Sequence, residues 1–313
     1  MRRMVPVCLL LLGLCLPAAG PAAPVACFSG ARAYQQLKDF CALGARVPGS
    51  PTARKAGDWL LTKLKALGDE AWEQPFNHKV RASHPLARCD KTLSTTGLRM
   101  RNLVCRFRPR ETRRLLLAAH WDSRPFADMD PVKANRVKPV LGANDAASGV
   151  VVLLELARCL KAQPPGMGVD IVLFDGEDFG EQGHLDEYFL GSRFYARNLG
   201  RPRPEAGILL DMVGDKNLRL PLEPFSRQAA PDLQDRVWDL AEGLGLGHIF
   251  VRESGPAVQD DHLPLIERGV PMIDIIDFDY PQWHTLQDTP AACSPASLEA
   301  VGRVLETLIR EGL

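Results

Sequence analysis

The 313-residue chain lacks an excess of either charge, because 38 Lys and Arg residues balance 38 Asp and Glu residues. This balance gives no indication of a nucleic-acid partner or of binding to an acidic membrane surface. Internal repeats and low-complexity tracts are also absent, apart from a Pro/Ala-rich patch near the start, which argues against repeat architectures. The Cys-x-x-Cys motif does not occur, so a zinc site built from thiolates is not expected.

Long apolar runs are missing after the first residues, and the run near the start has the features of a secretory signal peptide. Two arginines precede an apolar stretch over 7–16, and small residues with prolines follow through Ala26. The stretch is too short to span a bilayer. We predict that residues 1–26 are a signal peptide cleaved near Ala23 or Ala26, so that the mature protein works outside the cytoplasm without a membrane span. A buried N-terminal helix is the alternative, which the flanking residues disfavour.

Six cysteines remain beyond the signal peptide. An exported protein can pair some of them, but the sequence does not choose the partners. A lipid-anchored form beginning at Cys27 is disfavoured by Pro24, three residues earlier. Cys159 lies among leucines on a predicted helix, and we expect a buried free thiol there.

Short apolar strands alternate with helices through most of the chain. The stretches 113–119 and 169–174 suit strands of which both faces are buried. Other strands are predicted at 71–80, 101–107, 206–210 and 272–276. Helices are predicted at 31–43, 51–67, 146–160, 191–198, 232–244 and after Ser294-Pro295, with a loop over 81–97. This alternation predicts an α/β fold with a mixed, mostly parallel sheet covered on both faces, in one catalytic domain over 27–313.

Acidic and histidine residues follow several of these strands directly. They are His120, Asp122, Asn144, Asp145, Glu177, Asp178, Asp211 and His284. Open α/β folds place their active sites at the carboxyl ends of the strands. Oxygen and nitrogen ligands with one spare carboxylate can form a zinc site that has its own proton carrier. An enzyme is therefore the leading hypothesis.

Taken one at a time, some of these residues could serve a purely structural role. In the His120-Trp121-Asp122 segment, the carboxylate could orient the histidine. Asp145 precedes a predicted helix, where Asp is a favoured N-cap, so metal binding and helix capping both remain open. The acids within 175–178 crowd like charges together, which a cation or a shared proton would relieve. A solvated acidic loop would account for those acids but not for their coincidence with the other strand ends.

Six segments together resemble the metallopeptidase M28 family. They are HWDSRP from 120, GANDAASGVVVLLELAR from 142, FDGED from 174, LLDMVG from 209, QDDHLP from 259 and WHTLQD from 283. Within the family they are similar to the glutaminyl-peptide cyclotransferase branch, particularly its bacterial members, from about Tyr34 to the C-terminus. The resemblance implies a zinc-aminopeptidase-like, three-layer α/β/α sandwich, in agreement with the alternation of elements.

The resemblance also implies which residues bind metal. Asp145, Asp178 and His284 correspond to the ligands of a single zinc ion, and Glu177 corresponds to the general acid/base. Many relatives have Glu at the position of Asp178 in this chain. Because Asp is one methylene shorter, its loop must approach the metal more closely.

Further residues take supporting roles by the same resemblance. Asp211 and Asp260 correspond to two acids that hydrogen-bond to the general acid/base and steer its proton. Trp283 corresponds to a wall of the substrate pocket, although a tryptophan also serves in core packing. His120 and Asp122 are candidates for a second metal or for hydrogen bonds that support the first.

The predicted function is conversion of the N-terminal glutamine of peptides and proteins to pyroglutamate, with release of ammonia. Zinc would polarise the side-chain amide while Glu177 moves the proton. An M28-type zinc aminopeptidase is the alternative, because the same ligand types would serve hydrolysis, and a non-catalytic binding module is a third. Trp283 and Asp260 favour cyclisation. We expect a monomer that acts on peptides rather than on nucleic acid.

Overall fold

The computed structural model describes residues 27–313, so the predicted signal peptide over 1–26 lies outside the described residues. The strands are Glu70–His78 (β1), Leu98–Phe107 (β2), Arg114–His120 (β3), Gly168–Phe174 (β4), Ala206–Asp211 (β5), Leu220–Leu222 (β6), Phe250–Ser254 (β7) and Met272–Ile276 (β8). The α-helices are Gly30–Cys41 (α1), Pro51–Leu67 (α2), Pro85–Cys89 (α3), Leu93–Thr96 (α4), Gly149–Ala162 (α5), Leu190–Arg197 (α6), Pro224–Ala229 (α7), Pro231–Gly243 (α8), His262–Ile266 (α9) and Pro295–Glu311 (α10).

Six strands form a mixed central sheet in the order β1-β2-β4-β3-β5-β8. Strands β4, β3, β5 and β8 run parallel, whereas β1 and β2 pair antiparallel with their neighbours. The register places His120 opposite Phe174 and Asp211 opposite Ile276. The carboxyl ends of the four parallel strands therefore meet at one edge, as the sequence predicts. Strands β6 and β7 form a separate parallel pair.

Helices cover both faces of the sheet. Alternate residues of β3 point to opposite sides, so Leu115 and Leu117 belong to one buried cluster and Leu116 and Ala118 to another. The first cluster includes residues of α1, α2, α5, α8 and α10, and the second includes residues of α6 and α9. Burial of each large apolar side chain contributes roughly 1.5–3 kcal/mol, which explains why β3 is apolar throughout. The predicted three-layer α/β/α sandwich is confirmed.

The helix predicted at 146–160 begins later than expected, at Gly149. A π-helical turn over Ala143–Ser148 precedes it, with non-helical dihedral angles at Asp145 and Ala146. The N-cap position belongs to Ser148, so the interpretation of Asp145 as a helix cap is wrong. Gly149 lets the helix lie against β5, because a Cβ atom there would come within 2.4 Å of the Leu210 carbonyl oxygen.

The segment predicted as a loop at 81–97 contains the two short helices α3 and α4. In α3, Pro85 occupies the first turn and the His84 ring accepts a hydrogen bond from the backbone N–H of Leu86. Helices of four or five residues are too short to show apolar periodicity, which is why the sequence does not reveal them. Helices α7 and α9 and the short strands β6 and β7 escape prediction for the same reason.

All six cysteines among residues 27–313 are unpaired. Cys159 is fully buried on α5, which confirms the expectation of a buried free thiol. Across these same residues, no helix combines the length and the apolarity that crossing a bilayer requires.

Candidate metal and catalytic site

A cavity of about 500 Å³ opens at the edge where the parallel strands end. Its walls come from the strand ends and from the loops that follow β7 and β8. The predicted site residues that line it are Asp145, Glu177, Asp178, Asp211, Asp260, Trp283 and His284. His120 and Asp122 lie just beneath, both buried.

Asp145, Asp178 and His284 form a cluster of potential metal ligands, with one donor atom from each lying within 4.8 Å of the others. The Nε2 atom of His284 is 3.3 Å from Asp178 Oδ1 and 3.6 Å from Asp145 Oδ2. Asp178 Oδ2 is buried without a hydrogen-bond partner among the described residues, so a cation would satisfy it. His284 has a φ of 55°, in a region that side chains rarely adopt, so its surroundings impose this orientation.

A second cluster of the same kind contains His120, Asp145 and Asp211. His120 Nε2 lies 3.1 Å from Asp145 Oδ1 and 3.3 Å from Asp211 Oδ1. The two oxygens of Asp145 therefore face different histidines, and the two clusters share this residue. One imidazole and two carboxylates suit zinc in either cluster. The arrangement of donor atoms suits one metal ion or two.

Asp122 organises the segment after β4. Its Oδ1 lies 3.3 Å from His120 Nδ1, which agrees with the predicted orienting role. The same carboxylate accepts hydrogen bonds from the backbone N–H groups of Glu177 and Asp178, at 3.1 and 3.2 Å. One buried side chain thus fixes both the histidine and the two acids at the end of the neighbouring strand. Asp175 faces elsewhere and accepts a hydrogen bond from the Arg101 backbone N–H.

Arg124 and Asp128 belong to the site but were not among the predicted residues. Arg124 Nη1 lies 3.0 Å from Asp178 Oδ1, and its Nη2 lies 2.6 Å from Asp128 Oδ2. Asp128 Oδ1 in turn lies 3.3 Å from Nδ1 of His284. Arg124 occurs in the HWDSRP segment and could have been suspected, whereas no sequence pattern marks Asp128.

Asp288 is another buried acid that was not predicted, although the WHTLQD segment contains it. Its two oxygens accept hydrogen bonds from the backbone N–H groups of Asn144 and Asp145, at 2.8 and 3.2 Å. Tyr280 donates its hydroxyl to the same carboxylate at 2.9 Å. Asp288 therefore holds the π-helical turn that presents Asp145 to both clusters.

Glu177 is placed to carry a proton. Burial raises its pKa well above the ordinary value, His120 opposes this shift, and the charges of Asp178 and Asp260 add to it. Burial likewise raises the pKa of Asp260 well above its usual range, and the nearby Asp211 increases the shift. Carboxyl groups with raised pKa values can hold a proton near neutral pH and release it to a reacting group.

Trp283 is partly buried and forms a wall of the cavity. Its ring stacks on the His284 ring, with centroids 3.8 Å apart and planes at 25°. The Phe278 ring lies 5.2 Å away on the same side. An apolar surface thus stands directly beside the cluster of potential metal ligands, and Trp283 also packs against buried core residues.

Comparisons with known proteins agree with this geometry. A model of peptidase family M28 matches residues 102–309. The glutaminyl-peptide cyclotransferase of Bos taurus is 26% identical over 303 residues, which cover 86% of this chain and 78% of that protein. A glutaminyl cyclase from Porphyromonas gingivalis is 39% identical with a TM-score of 0.83, covering 90% of this chain and 97% of the other. A Zn-dependent exopeptidase from Parabacteroides distasonis is 35% identical with a TM-score of 0.84, covering 91% and 99%.

Proposed function

Because the chain belongs to peptidase family M28 and, within it, to the glutaminyl-peptide cyclotransferase branch, we propose that it is a zinc-dependent glutaminyl-peptide cyclotransferase. It converts the N-terminal glutamine of a peptide or protein to pyroglutamate and releases ammonia. One observation carries the proposal: the partly buried acid Glu177 lines the same cavity as a three-residue ligand cluster, and the ring of Trp283 stacks on His284 of that cluster.

Asp145, Asp178 and His284 would hold one zinc ion per chain. Two carboxylates and an imidazole are suitable zinc ligands, and the unpartnered Asp178 oxygen fits a bound cation. Zinc held there supplies a Lewis acid that polarises the carbonyl of the substrate's side-chain amide. His120 would either support this site together with Asp122 or contribute to a second metal site.

Glu177 performs the proton transfers. As the substrate's N-terminal nitrogen bonds to the side-chain carbonyl carbon, Glu177 accepts a proton from that nitrogen. It then returns the proton to the amide nitrogen, whose bond to the same carbon breaks, and ammonia leaves. Asp211 and Asp260, which line the same cavity as Glu177, steer this proton, and the charge of Asp260 acts directly on Glu177.

Trp283 and Phe278 hold the glutamine side chain folded over its own amine. The ring closure is intramolecular, so correct positioning removes much of the entropic cost of the reaction. A half-buried aromatic wall excludes water from one side of the substrate without supplying a competing nucleophile. This favours cyclisation over hydrolysis.

Zinc-dependent removal of N-terminal residues is the second candidate function. The His120, Asp145 and Asp211 cluster is the observation in its favour, because it would allow a second metal to activate water. A non-catalytic binding module is less well supported, since such a protein does not need a general acid/base beside the ligands.

Mass spectrometry of a Gln-Xaa peptide incubated with the zinc-loaded protein separates these candidates. Loss of ammonia with the peptide bond intact supports the cyclotransferase. Release of free glutamine would instead identify an aminopeptidase, and an unchanged peptide would indicate a binding module. The same peptide with an acetylated N-terminus is the matched control, because it has no amine to attack and should stay unchanged.

We further propose that residues 27–313 act as one catalytic domain, monomeric and outside the cytoplasm after removal of the signal peptide. Lipid attachment at Cys27 is not part of this proposal, because Pro24 disfavours it. The substrates would then be exported peptides and proteins that begin with glutamine. Edman sequencing of the protein recovered from its host, together with its mass in solution, tests the processing and the monomeric state.

A further inference from the structure

A second groove, of about 380 Å³, lies next to the catalytic cavity along α6 and α9. Leu185, Phe189 and Gln259 line both spaces, so the groove continues from the cavity wall. A peptide whose first residue occupies the catalytic cavity must extend outward from it. The groove could hold the peptide residues that follow the N-terminal glutamine.

Three arginines give this groove its charge: Arg193 and Arg197 from α6, and Arg268 just after α9. Arg193 is half-buried, and the other two are exposed. Of the described residues that line the groove, Glu267 alone is acidic. We call this space the arginine groove.

The three guanidinium groups of this groove share one property, which is the lack of an acidic partner. Among residues 27–313, none of them has a carboxylate oxygen within 4.0 Å. Arg193 donates instead to the Leu185 carbonyl oxygen at 3.1 Å, and Arg197 donates to the Arg193 carbonyl oxygen at 3.1 Å. By contrast, the exposed Arg113 forms an ion pair with Glu205. Since the chain as a whole has no net charge, this unpaired positive charge is a local property.

We propose that the arginine groove binds a carboxylate of the peptide substrate, supplied by Asp or Glu a few residues after the N-terminal glutamine or by the C-terminus of a short peptide. The proposal rests on the cyclotransferase function and adds a substrate class to it. Guanidinium groups bind carboxylates through paired hydrogen bonds, and each residue of an extended peptide advances by about 3.3 Å. Acidic groups within the first few positions can therefore reach the groove.

A panel of peptides tests this preference with wild-type enzyme. The neutral reference is an amidated Gln peptide with alanines after the glutamine, and single Glu or Lys residues are placed at each of positions two to five. We expect kcat/KM to rise about two- to fivefold for each carboxylate–guanidinium contact at the favoured position, and to fall for lysine. The gain should shrink as salt rises from about 0.05 to 0.5 M. A free C-terminus on the alanine peptide distinguishes a terminal carboxylate from a side chain.

Variants assign the effect to the groove. Arg197→Gln, Arg268→Gln and their double variant remove exposed charges, and Arg193→Gln removes the half-buried charge. Arg110→Gln is the matched control, because Arg110 is exposed and precedes β3, at the sheet edge opposite the site. We expect the double variant to lose the acidic preference while turnover of the neutral peptide stays within about twofold.

The outcomes separate this proposal from the one on which it rests. Suppose that the wild type turns over the neutral peptide, that Glu gives no gain at any position and that the variants show no change. The proposed role of the arginine groove would then be wrong, and the cyclotransferase proposal would stand. A gain that persists in the double and Arg193→Gln variants would overturn that role as well. Failure of the wild type to cyclise any glutaminyl peptide would overturn both proposals.

Discussion

The Asp128 carboxylate lies on the Nδ1 side of the His284 ring, with its Oδ1 atom 3.3 Å from Nδ1. A carboxylate in this position holds the imidazole so that Nε2 points to the proposed metal site, and it raises the basicity of the ring. Asp128→Ala should therefore weaken zinc binding about 10- to 100-fold, with Asp128→Asn in between. Competition with a chromophoric chelator measures this affinity. Equal affinities in the wild type and in Asp128→Ala would contradict the orienting role of Asp128.

Glu177→Gln should lower kcat for a glutaminyl peptide by about 10²- to 10⁴-fold, the usual contribution of a positioned acid/base. The amide keeps the shape of the side chain but cannot carry the proton. Zinc content and melting temperature should stay close to those of the wild type, since Glu177 is not among the three proposed ligands. A variant with full activity would contradict the proposed proton carrier.

Removal of the metal should abolish activity, and zinc should restore it. Dipicolinate followed by dialysis is expected to give an inactive protein that regains turnover on addition of about one equivalent of zinc. Asp178→Ala should lower the bound zinc, measured by mass spectrometry of the element, far below one ion per chain. His120→Ala distinguishes the one-metal and two-metal arrangements, because only the latter predicts a loss of one of two bound ions.

Arg46 is fully buried under the site and donates hydrogen bonds to the backbone carbonyls of Trp121, Leu141 and Gly142 at 2.7–2.8 Å. Arg46→Met leaves these acceptors without donors, at a cost of about 1–3 kcal/mol for each group left unsatisfied. We expect a loss of about 3 kcal/mol or more in the free energy of unfolding, measured in urea. Arg54→Met, at an exposed residue of α2, is the matched control and should change stability by less than about 0.5 kcal/mol.

Glu223 should contribute to stability in a pH-dependent way. Burial opposes ionisation, but the His262 ring 3.5 Å away, together with hydrogen bonds from the Ser226 side chain and nearby backbone N–H groups, lowers the pKa of Glu223 to about 2. A pKa below the unfolded value of about 4.5 means that the stabilisation is complete above pH 4.5 and is lost as the pH falls towards 2. Thermal unfolding of Glu223→Gln should show a lower melting temperature at pH 7 and a smaller further decrease between pH 5 and 3 than the wild type. Parallel curves for the two proteins would refute the shift.

The residues at the strand ends could be predicted because the pattern that indicates them lies within a few neighbouring positions of the sequence. An apolar run such as 169–174 indicates burial on both faces, and parallel connections bring the carboxyl ends together, so the sequence alone predicts that Glu177 and Asp211 lie at one edge. The assignment of the proposed metal ligands came from the family resemblance. From composition and spacing, Asp145 could be either a helix cap or a metal ligand. Only the backbone of the π-helical turn excludes the helix cap.

The supporting residues could not be found in the same way. Asp128 lies in a segment without apolar periodicity, and its importance depends on a partner that is distant in the sequence. Asp288 accepts hydrogen bonds from the backbone of Asn144 and Asp145. Because every residue type except proline offers a backbone N–H, such a contact cannot be predicted from the sequence. Unpaired charge, as in the arginine groove, is likewise a property of spatial neighbours rather than of composition.

The three proposed ligands come from the turn before α5, the end of β4 and the loop after β8. A metal that binds all three therefore has full affinity only for the folded chain, and its binding free energy adds to the stability of the whole sheet. Resistance to unfolding would then depend on the free zinc concentration around the protein. Scarcity of the metal would act on the lifetime of the enzyme as well as on its turnover.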